Sequence, residues 1–539
     1  MLEFFSSLGG NAGGLRPLPI PQNWSFMLTI ANLTLTHRKD LTVLVDSLSL
    51  TVSGGERLAL IGEEGNGKST LLRVLAGNPS VNDYIEVSGS FSCRGRAGYL
   101  PQELPKDERE KSAYDFFCAS PAFFDLSPKD LGQLAARLAL PADVFYSPQR
   151  MADFSGGERV KLQLARLLMA SPDVLLLDEP TNDLDGGSVR WLEDFLLTCK
   201  LTVLFVSHDE ALLSRVATGV LLLERLRRRQ VPRATLYHMG YDRFYEERIA
   251  AFDKQTQIAR KEREDFQAKM ARYETIRRKV EHDQRNISRQ DPHGGQLLKK
   301  KMQAVQAMGR RFERERDDLT ALPEREEAIF AKLGCTPLPA DKTVLDLACP
   351  ALNIDGRTFC RNIRLTVRAN EKLCICGKNG VGKSTLLRLI RDTLKKRADL
   401  HVFYMPQDPG DLLDLRLSPV ELLSPSGKKD ERSRAGLLLG SMKFTADEMN
   451  HPCSGLSGGQ KAKLMILMMA ESRADVLLLD EPTRNLSPLS GPVVRNLFAD
   501  YPGCIIAVSH DRRFVEAVCT RAVCLGREGV RETPISDIL

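Results

Sequence analysis

Two glycine-rich stretches of the sequence have the residue types and spacing of loops that bind phosphate. The pattern Gly-x-x-x-x-Gly-Lys-Ser runs from Gly62 to Ser69 and again from Gly377 to Ser384, each time between a strand-like and a helix-like run. Glycines let backbone N–H groups surround phosphate oxygens, while the lysine and the helix N-terminus supply positive charge. The pattern predicts two nucleotide sites, formed by Gly62, Gly65, Asn66, Gly67, Lys68, Ser69 and Thr70, and by Gly377, Gly380, Gly382, Lys383, Ser384 and Thr385.

A pair of acids ends an apolar run in each copy. The string Val-Leu-Leu-Leu-Asp-Glu-Pro-Thr carries Asp178 and Glu179 in the first copy and Asp480 and Glu481 in the second. An aspartate at this position can hold Mg²⁺ together with the loop serine, and the glutamate beside it can polarise an attacking water. These residues predict hydrolysis of a magnesium-bound nucleotide, with Ser69, Asp178, Ser384 and Asp480 as metal ligands.

A third repeated motif, Ser-Gly-Gly, precedes a helical run in each copy. A serine hydroxyl and exposed N–H groups at a helix N-terminus can form a second anion site. The alternative is that each serine only caps its own helix. The candidate residues are Ser155, Gly156, Gly157, Ser457, Gly458 and Gly459.

The motifs belong to an internal duplication, because the second copies of Ser-Gly-Gly, Asp-Glu-Pro-Thr and Val-Ser-His-Asp all follow the first by 302 positions. Within each copy, short β-branched and leucine-rich runs alternate with helical runs, which predicts an α/β fold with a mostly parallel sheet flanked by helices. We expect a flexible extension over residues 1–26, nucleotide-binding domains over 27–240 and 328–539, and a linker over 241–327.

The linker differs in composition from both domains. It is rich in charged helix formers and is interrupted once by Asp-Pro-His-Gly-Gly, which predicts two long helices joined at a tight tip. Residues 269–311 contain twelve Lys or Arg and four acids, a local charge of +8. Such a patch suits a phosphate backbone, although a solvated coiled coil could also carry it. The candidate nucleic-acid contacts are Arg285, Arg289, Lys299, Lys300 and Lys301.

The composition is that of a globular chain of 539 residues, with 27% charged residues and a net charge of +6, so an affinity for nucleic acid has to come from a local patch. No run approaches the roughly 18 apolar residues of a spanning helix. The N-terminus lacks the pattern of a secretory signal, and twelve scattered cysteines without a Cys-x-x-Cys pair favour free thiols over a metal site. These features predict a cytoplasmic protein.

Each half resembles an ABC-type ATPase domain, with Walker A, Q-loop, signature, Walker B, D-loop and switch histidine in order. The resemblance implies ATP and Mg²⁺ as ligands, with Gln102 and Gln407 as further metal ligands. In that family each site is composite, because the signature of one domain faces the Walker A loop of the other. The implied sites combine Lys68, Glu179 and His208 with Ser457, and Lys383, Glu481 and His510 with Ser155.

The two composite sites are expected to be unequal, because Ser487 stands in the second D-loop where Asp185 stands in the first. A serine can hydrogen-bond but cannot carry the charge of an aspartate. For adenine stacking we find only a weak candidate, His37, in the first half and none in the second.

Two ABC domains joined by a charged helical linker resemble the ABC-F family. The resemblance implies an ATPase that binds the ribosome at the tRNA exit site and directs its linker toward the peptidyl-transferase centre, contacting rRNA and P-site tRNA. It acts there as a translation factor or as a factor that protects the ribosome from antibiotics. The resemblance also implies a monomer whose two domains form an intramolecular dimer. The alternative is a tandem ATPase subunit of an ABC transporter, for which a basic hairpin about 70 Å long has no use.

Overall fold

The computed structural model describes residues 26–182, 184–226, 231–286, 292–320, 333–335, 338–354 and 357–538. The predicted extension of residues 1–26 lies outside these ranges, apart from Phe26 at the start of the first strand. Among the described residues, none of the helices combines the length and apolar character needed to cross a bilayer.

The first half is an α/β unit built on one large sheet and one small antiparallel sheet. The large sheet has the order β5-β6-β7-β3-β8-β9, and its pairs are parallel except for β8 and β9; the small sheet has the order β2-β1-β4. The strands are β1 Phe26–His37, β2 Val43–Ser53, β3 Arg57–Ile61, β4 Ile85–Cys93, β5 Ala97–Leu100, β6 Val174–Asp178, β7 Thr202–Val206, β8 Gly219–Arg225 and β9 Val231–Tyr237. The helices are α1 Lys68–Leu75, α2 Lys106–Arg109, α3 Ala113–Cys118, α4 Ala122–Asp125, α5 Pro128–Arg137, α6 Gly156–Met169, α7 Gly186–Thr198 and α8 Glu210–Val216.

The linker forms two helices, α9 Tyr241–Asn286 and α10 Pro292–Asp317. Of the predicted interruption, Asp-Pro-His-Gly-Gly, residue 291 lies outside the described residues, and the other four do not interrupt the helix but form the first turn of α10. The prediction of two long helices between the two α/β halves is confirmed.

The second half repeats the architecture of the first. Its large sheet has the order β13-β14-β15-β12-β16-β17, with only β16 and β17 antiparallel, and β10 pairs with β11. The strands are β10 Thr343–Ile354, β11 Arg357–Arg368, β12 Lys372–Cys376, β13 Val402–Met405, β14 Val476–Asp480, β15 Cys504–Val508, β16 Arg521–Gly526 and β17 Gly529–Glu532. The helices are α11 Lys383–Leu394, α12 Pro419–Leu423, α13 Lys429–Ser441, α14 Ala446–Asn450, α15 Gly458–Ser472, α16 Gly491–Ala499 and α17 Arg512–Val518.

The central strands of both large sheets bring the motifs together. Every residue of β6, β7, β14 and β15 is buried, which explains why these strands are continuous apolar runs and do not alternate with polar residues. In a parallel sheet the carboxyl ends of neighbouring strands meet at one edge, where α/β proteins bind ligands. The phosphate loop, the Asp-Glu pair and the switch histidine of each half follow such strand ends.

The two halves contact each other through a buried polar seam. Arg495 of α16 donates two hydrogen bonds to the carboxylate of Glu210, at 2.5 and 3.0 Å, and both side chains are buried. The base of the linker joins this seam, because Tyr241 donates to the carbonyl of Pro488 at 3.1 Å and Arg513 donates to Asp242 at 2.8 Å. The first turn of α9 therefore touches both halves.

Candidate nucleotide sites

Each phosphate loop starts at a glycine, and the neighbouring strand leaves no room for a side chain at that position. A Cβ atom at Gly62 would lie 2.1 Å from the carbonyl oxygen of Leu223, and one at Gly377 would lie 2.7 Å from that of Leu525. The backbone also has a positive φ at both positions, 151° and 143°. Glycine is therefore required at this point, where the chain turns from the strand into the loop.

The loop lysines lie inside their own loops. Lys68 Nζ donates to the carbonyl of Gly62 at 2.8 Å, and Lys383 Nζ donates to that of Gly377 at 2.8 Å. Both lysines are buried, and these bonds hold each ammonium group inside its own loop. This arrangement provides fixed positive charge for phosphate oxygens.

A serine hydroxyl and a strand-end carboxylate meet beside each loop. Ser69 Oγ donates to Asp178 Oδ1 at 2.8 Å, and Ser384 Oγ donates to Asp480 Oδ1 at 3.2 Å. Burial raises the pKa of both aspartates. Such oxygen donors are the ligands that Mg²⁺ prefers, so the residues fit a magnesium-bound nucleotide. Their roles stay predictions.

The two predicted catalytic glutamates have a backbone conformation that is unusual for this residue type. Glu179 has φ 49° and Glu481 has φ 53°, in the left-handed region. Strained conformations of this kind persist where the surrounding structure fixes them, and they cluster at functional sites. Each glutamate accepts a hydrogen bond from the backbone N–H of the switch histidine of its own half, at 3.2 Å.

In the first half, the glutamate and the histidine form an ion pair. His208 Nε2 lies 3.0 Å from Glu179 Oε1, and His208 Nδ1 lies 2.6 Å from the carbonyl oxygen of Leu486 in the second half. Burial opposes the charge on both groups, yet their mutual attraction lowers the pKa of Glu179 and raises that of His208. The first-half histidine is thus fixed to the D-loop of the other half.

In the second half, the same two side chains lie farther apart. His510 Nε2 lies 3.8 Å from Glu481 Oε1 and has no hydrogen-bond partner among the described residues. Burial raises the pKa of Glu481 to about 7, while burial and the charge of Lys383 lower the pKa of His510 to about 4. The two sites therefore differ in the geometry of this pair as well as at Ser487, while their unequal activity stays a prediction.

A cavity of about 540 Å³ lies between the halves at the second site. It is lined by the second phosphate loop, Glu481 and His510, and, from the first half, by Leu184 and His208. The cavity is large enough for a nucleotide. It also contains an aromatic side chain, Phe359, that we did not identify from the sequence.

Phe359 could have been found from the duplication. It precedes Lys383 by 24 positions, as Leu44 precedes Lys68 in the first half. A Cβ atom at Gly382 would lie 3.4 Å from the Cβ atom of Phe359, so the ring stands beside the phosphate loop, in a position to stack on a base. The first site has a leucine there, which adds to the inequality of the two sites.

The predicted signature serines cap their helices. Ser155 starts α6 and Ser457 starts α15, each in a reciprocal capping box with the residue three positions later. Their predicted phosphate contacts stay predictions. Gln407 lines the cavity, whereas Gln102 is exposed after β5.

Four of the five candidate nucleic-acid contacts lie in the described parts of the linker helices, toward their far end. Arg285, Lys299, Lys300 and Lys301 are exposed, and Arg289 lies outside the described residues.

The comparison with known proteins agrees with this architecture. The family model described as ABC transporter matches residues 45–182 and 360–484. The tylosin resistance ATP-binding protein TlrC of Streptomyces fradiae is 29% identical over 89% of this chain and 94% of its own length. The ribosome protection protein VmlR of Bacillus subtilis is 28% identical over 93% and 87%. The ABC transporter F family member 5 of Arabidopsis thaliana is 26% identical over 90% and 73%.

Fold, motifs and family model together define a tandem ABC ATPase. The similarity to an F family member covers 90% of this chain and therefore extends through both ABC domains and the linker.

Proposed function

We propose that this protein is an ATPase that binds the ribosome at the tRNA exit site and extends its helical arm toward the peptidyl-transferase centre, contacting rRNA and P-site tRNA. The observation that carries the proposal is the arm itself, an antiparallel helical pair with an exposed basic end that rises from the seam between two ATPase domains. ATP binding and hydrolysis at the domain interface would change the position of the arm.

The packing of α9 against α10 supports a rigid arm. Phe312 of α10 lies against two rings of α9, with centroid distances of 6.3 Å to Phe266 and 5.6 Å to Tyr273. Nearer the far end, Val280 and Val305 are buried between the helices. A helix of 46 residues is about 70 Å long, so the arm can reach well beyond the ATPase domains.

The charge of the arm supports a nucleic-acid partner. Lys299, Lys300 and Lys301 are exposed on consecutive positions of α10, and Arg285 is exposed near the end of α9. Lysine and arginine side chains in such a cluster neutralise backbone phosphates without reading the base sequence. We therefore assign the basic end of the arm to the phosphate backbone of RNA.

The relatives favour the ribosome over a transporter. One is named for ribosome protection and another for resistance to tylosin, and both similarities extend over most of the chain. A transporter subunit would leave the basic end of the arm without a role. Growth of a susceptible strain in tylosin, with and without the gene, separates a protective role from a role in translation alone.

Replacement of Lys299, Lys300 and Lys301 with alanine tests the proposal. We expect weaker ribosome binding and a smaller salt dependence, with the log–log slope reduced by about 0.7 to 0.9 for each lost phosphate contact. Ribosome-stimulated ATPase activity should fall with binding, while basal activity stays unchanged because these lysines lie far from both sites. The measurement is co-sedimentation with ribosomes over a series of salt concentrations.

The matched control replaces Lys254, Arg260 and Lys261, which are exposed near the base of α9, with alanine. It removes the same charge from the same arm, and we expect a smaller loss of binding. Equal losses from both triple variants, or an unchanged salt slope in the first, would contradict the assignment of the basic end to RNA.

A further inference from the structure

The two phosphate loops differ in charge at two equivalent positions. The first loop has Glu63 and Glu64 where the second has Lys378 and Asn379. An acidic side chain in a loop that binds phosphate is unexpected, because it repels the ligand electrostatically. The structure shows that both acids contact the other half of the molecule.

Glu64 contacts the signature helix of the second half. Its Oε2 atom accepts a hydrogen bond of 2.7 Å from the backbone N–H of Gly459, in the first turn of α15. Its Oε1 atom lies 3.2 Å from the position of a Cβ atom at Gly458. The N-terminus of a helix favours an anion through its free N–H groups and its dipole. In the first site, a protein carboxylate is that anion.

Glu63 fixes the same loop by a second pair of contacts. Its Oε2 atom lies 3.0 Å from Lys463 Nζ, and its Oε1 atom accepts a hydrogen bond of 3.2 Å from Ser490 Oγ. Only 2% of the Lys463 side chain and 6% of the Glu63 side chain are exposed. Removal of one partner from a desolvated ion pair strongly destabilises the folded protein, because the other charge is left buried without compensation. The first loop is thus held against the second half.

The second loop has no acid at either of the two equivalent positions. Lys378 and Asn379 are exposed, and their loop borders the open cavity. The counterpart of Lys463 is Lys161, which donates to the carbonyl of Ala139 and lies over the ring of Trp191. The contact of a loop acid with the signature helix therefore belongs to the first site.

We propose that Glu64 is a specificity-determining residue that makes the first site favour a nucleoside diphosphate over a triphosphate. A γ-phosphate directed at the signature helix would compete with the Glu64 carboxylate for the N–H of Gly459, and the two anions would repel each other. A diphosphate lacks that group and leaves the contact intact. This inference rests on the proposed function of both loops as nucleotide sites.

The test measures equilibrium binding of ADP and of a non-hydrolysable ATP analogue, adenylyl imidodiphosphate, with Mg²⁺. The full-length protein carries Lys383→Ala, which confines binding to the first site. We expect Glu64→Gln to shift the affinity ratio toward the triphosphate by about tenfold or more, the effect of one lost charge-assisted hydrogen bond. The affinity for ADP should change less than about threefold, because the diphosphate does not meet this carboxylate. An unchanged ratio would overturn the inference.

A reciprocal variant provides a second measurement in a different part of the fold. Asn379→Glu, in a protein whose first site is silenced by Lys68→Ala, places the acid in the second loop. We expect the second site to shift toward ADP, and an unchanged ratio there would also count against the inference.

The single variant Lys68→Ala, in which the reciprocal variant is made, distinguishes a failure of the inference from a failure of the proposed function. Lys68→Ala alone should still bind the triphosphate analogue at the second site. Failure to do so would remove the nucleotide-site assignment itself, whereas normal binding there with no effect of Glu64→Gln would remove only the role of Glu64.

Discussion

Glu481 and Glu179 occupy equivalent positions, yet their carboxyl groups have different environments. His208 stabilises the ionised form of Glu179 at 3.0 Å, whereas His510 stands 3.8 Å from Glu481 and is held neutral by burial and by Lys383. A general base works only in its ionised form. The two sites should therefore respond differently to pH.

The pKa of Glu481, raised to about 7 by burial, gives a direct prediction. As the pH falls through 7 the carboxylate gains a proton and can no longer accept one from water, so activity is lost on the acid side. In Lys68→Ala protein, kcat/KM should fall about tenfold between pH 8 and pH 6, since this parameter reports the ionisation of the free enzyme. Steady-state phosphate release over this range is the measurement.

The control for the pH prediction is Lys68→Ala combined with Glu481→Gln, which should have little activity at any pH in the range. A kcat/KM that is constant from pH 6 to pH 8 in Lys68→Ala alone would show that Glu481 is not the titrating base.

At this scale the sequence predicts the motif residues but not their partners. Lys68, Asp178 and Glu179 are recognisable because local patterns surround them. The hydrogen bond from the backbone N–H of Gly459 to the carboxylate of Glu64 joins residues 395 positions apart, and it depends on how the two halves dock. Phe359 was missed for a different reason, since its signal is visible only when the two halves are aligned on their phosphate loops.

Among the elements, the paired helices of the linker are the feature that composition predicts best, because the segment is rich in charged helix formers. Their register was not predictable, because it is set by a few scattered contacts. A Cβ atom at Gly309 would lie 2.7 Å from the hydroxyl of Tyr273, so the helices approach closely there. Farther along, Gln284 donates to the carbonyl of Leu298. As residue number rises in one helix it falls in the other, which defines an antiparallel pair.

Removal of an aromatic ring from the interface between α9 and α10 should loosen the arm without affecting the ATPase domains. Phe312→Ala deletes contacts with Phe266 and Tyr273, and for a half-buried ring we expect a cost of about 2 kcal/mol in the stability of the helical pair. Limited trypsin digestion should cut the arm several-fold faster, ribosome binding should weaken, and basal ATPase activity should persist.

The control is Ile276→Ala, which shortens an apolar side chain of α9 that is 45% exposed. We expect trypsin to cut this variant at the wild-type rate. Equal sensitivity of both variants would show that Phe312 does not hold the helices together.

For the whole molecule, the double variant Glu179→Gln with Glu481→Gln should stay in the ATP-bound, closed state. The phosphate loops still hold the nucleotide, but water is no longer polarised. We expect co-sedimentation with ribosomes in the presence of ATP and inhibition of protein synthesis in a cell-free translation reaction.

Of the two single variants, Glu481→Gln should lose several-fold more ATPase activity.

Two results bear on this prediction. The variant Lys68→Ala with Lys383→Ala, which loses the charge that holds phosphate at both loops, should neither bind in an ATP-dependent way nor inhibit. Hydrolysis at the wild-type rate by the double glutamine variant would contradict the assignment of both glutamates.

The attachment of the arm has a mechanical consequence. Tyr241 and Phe244 are buried in the first half. The hydroxyl of Tyr241 donates a hydrogen bond to the carbonyl of Pro488, which is next to Ser487 in the D-loop of the second half. The base of the arm is therefore attached where the two halves meet, so a rotation there moves the whole arm. A rotation of about 5° at the base of a helix about 70 Å long moves its end by about 6 Å, roughly one helical turn. A rotation of a few degrees where the halves meet would thus displace the far end of the arm by the length of a side chain.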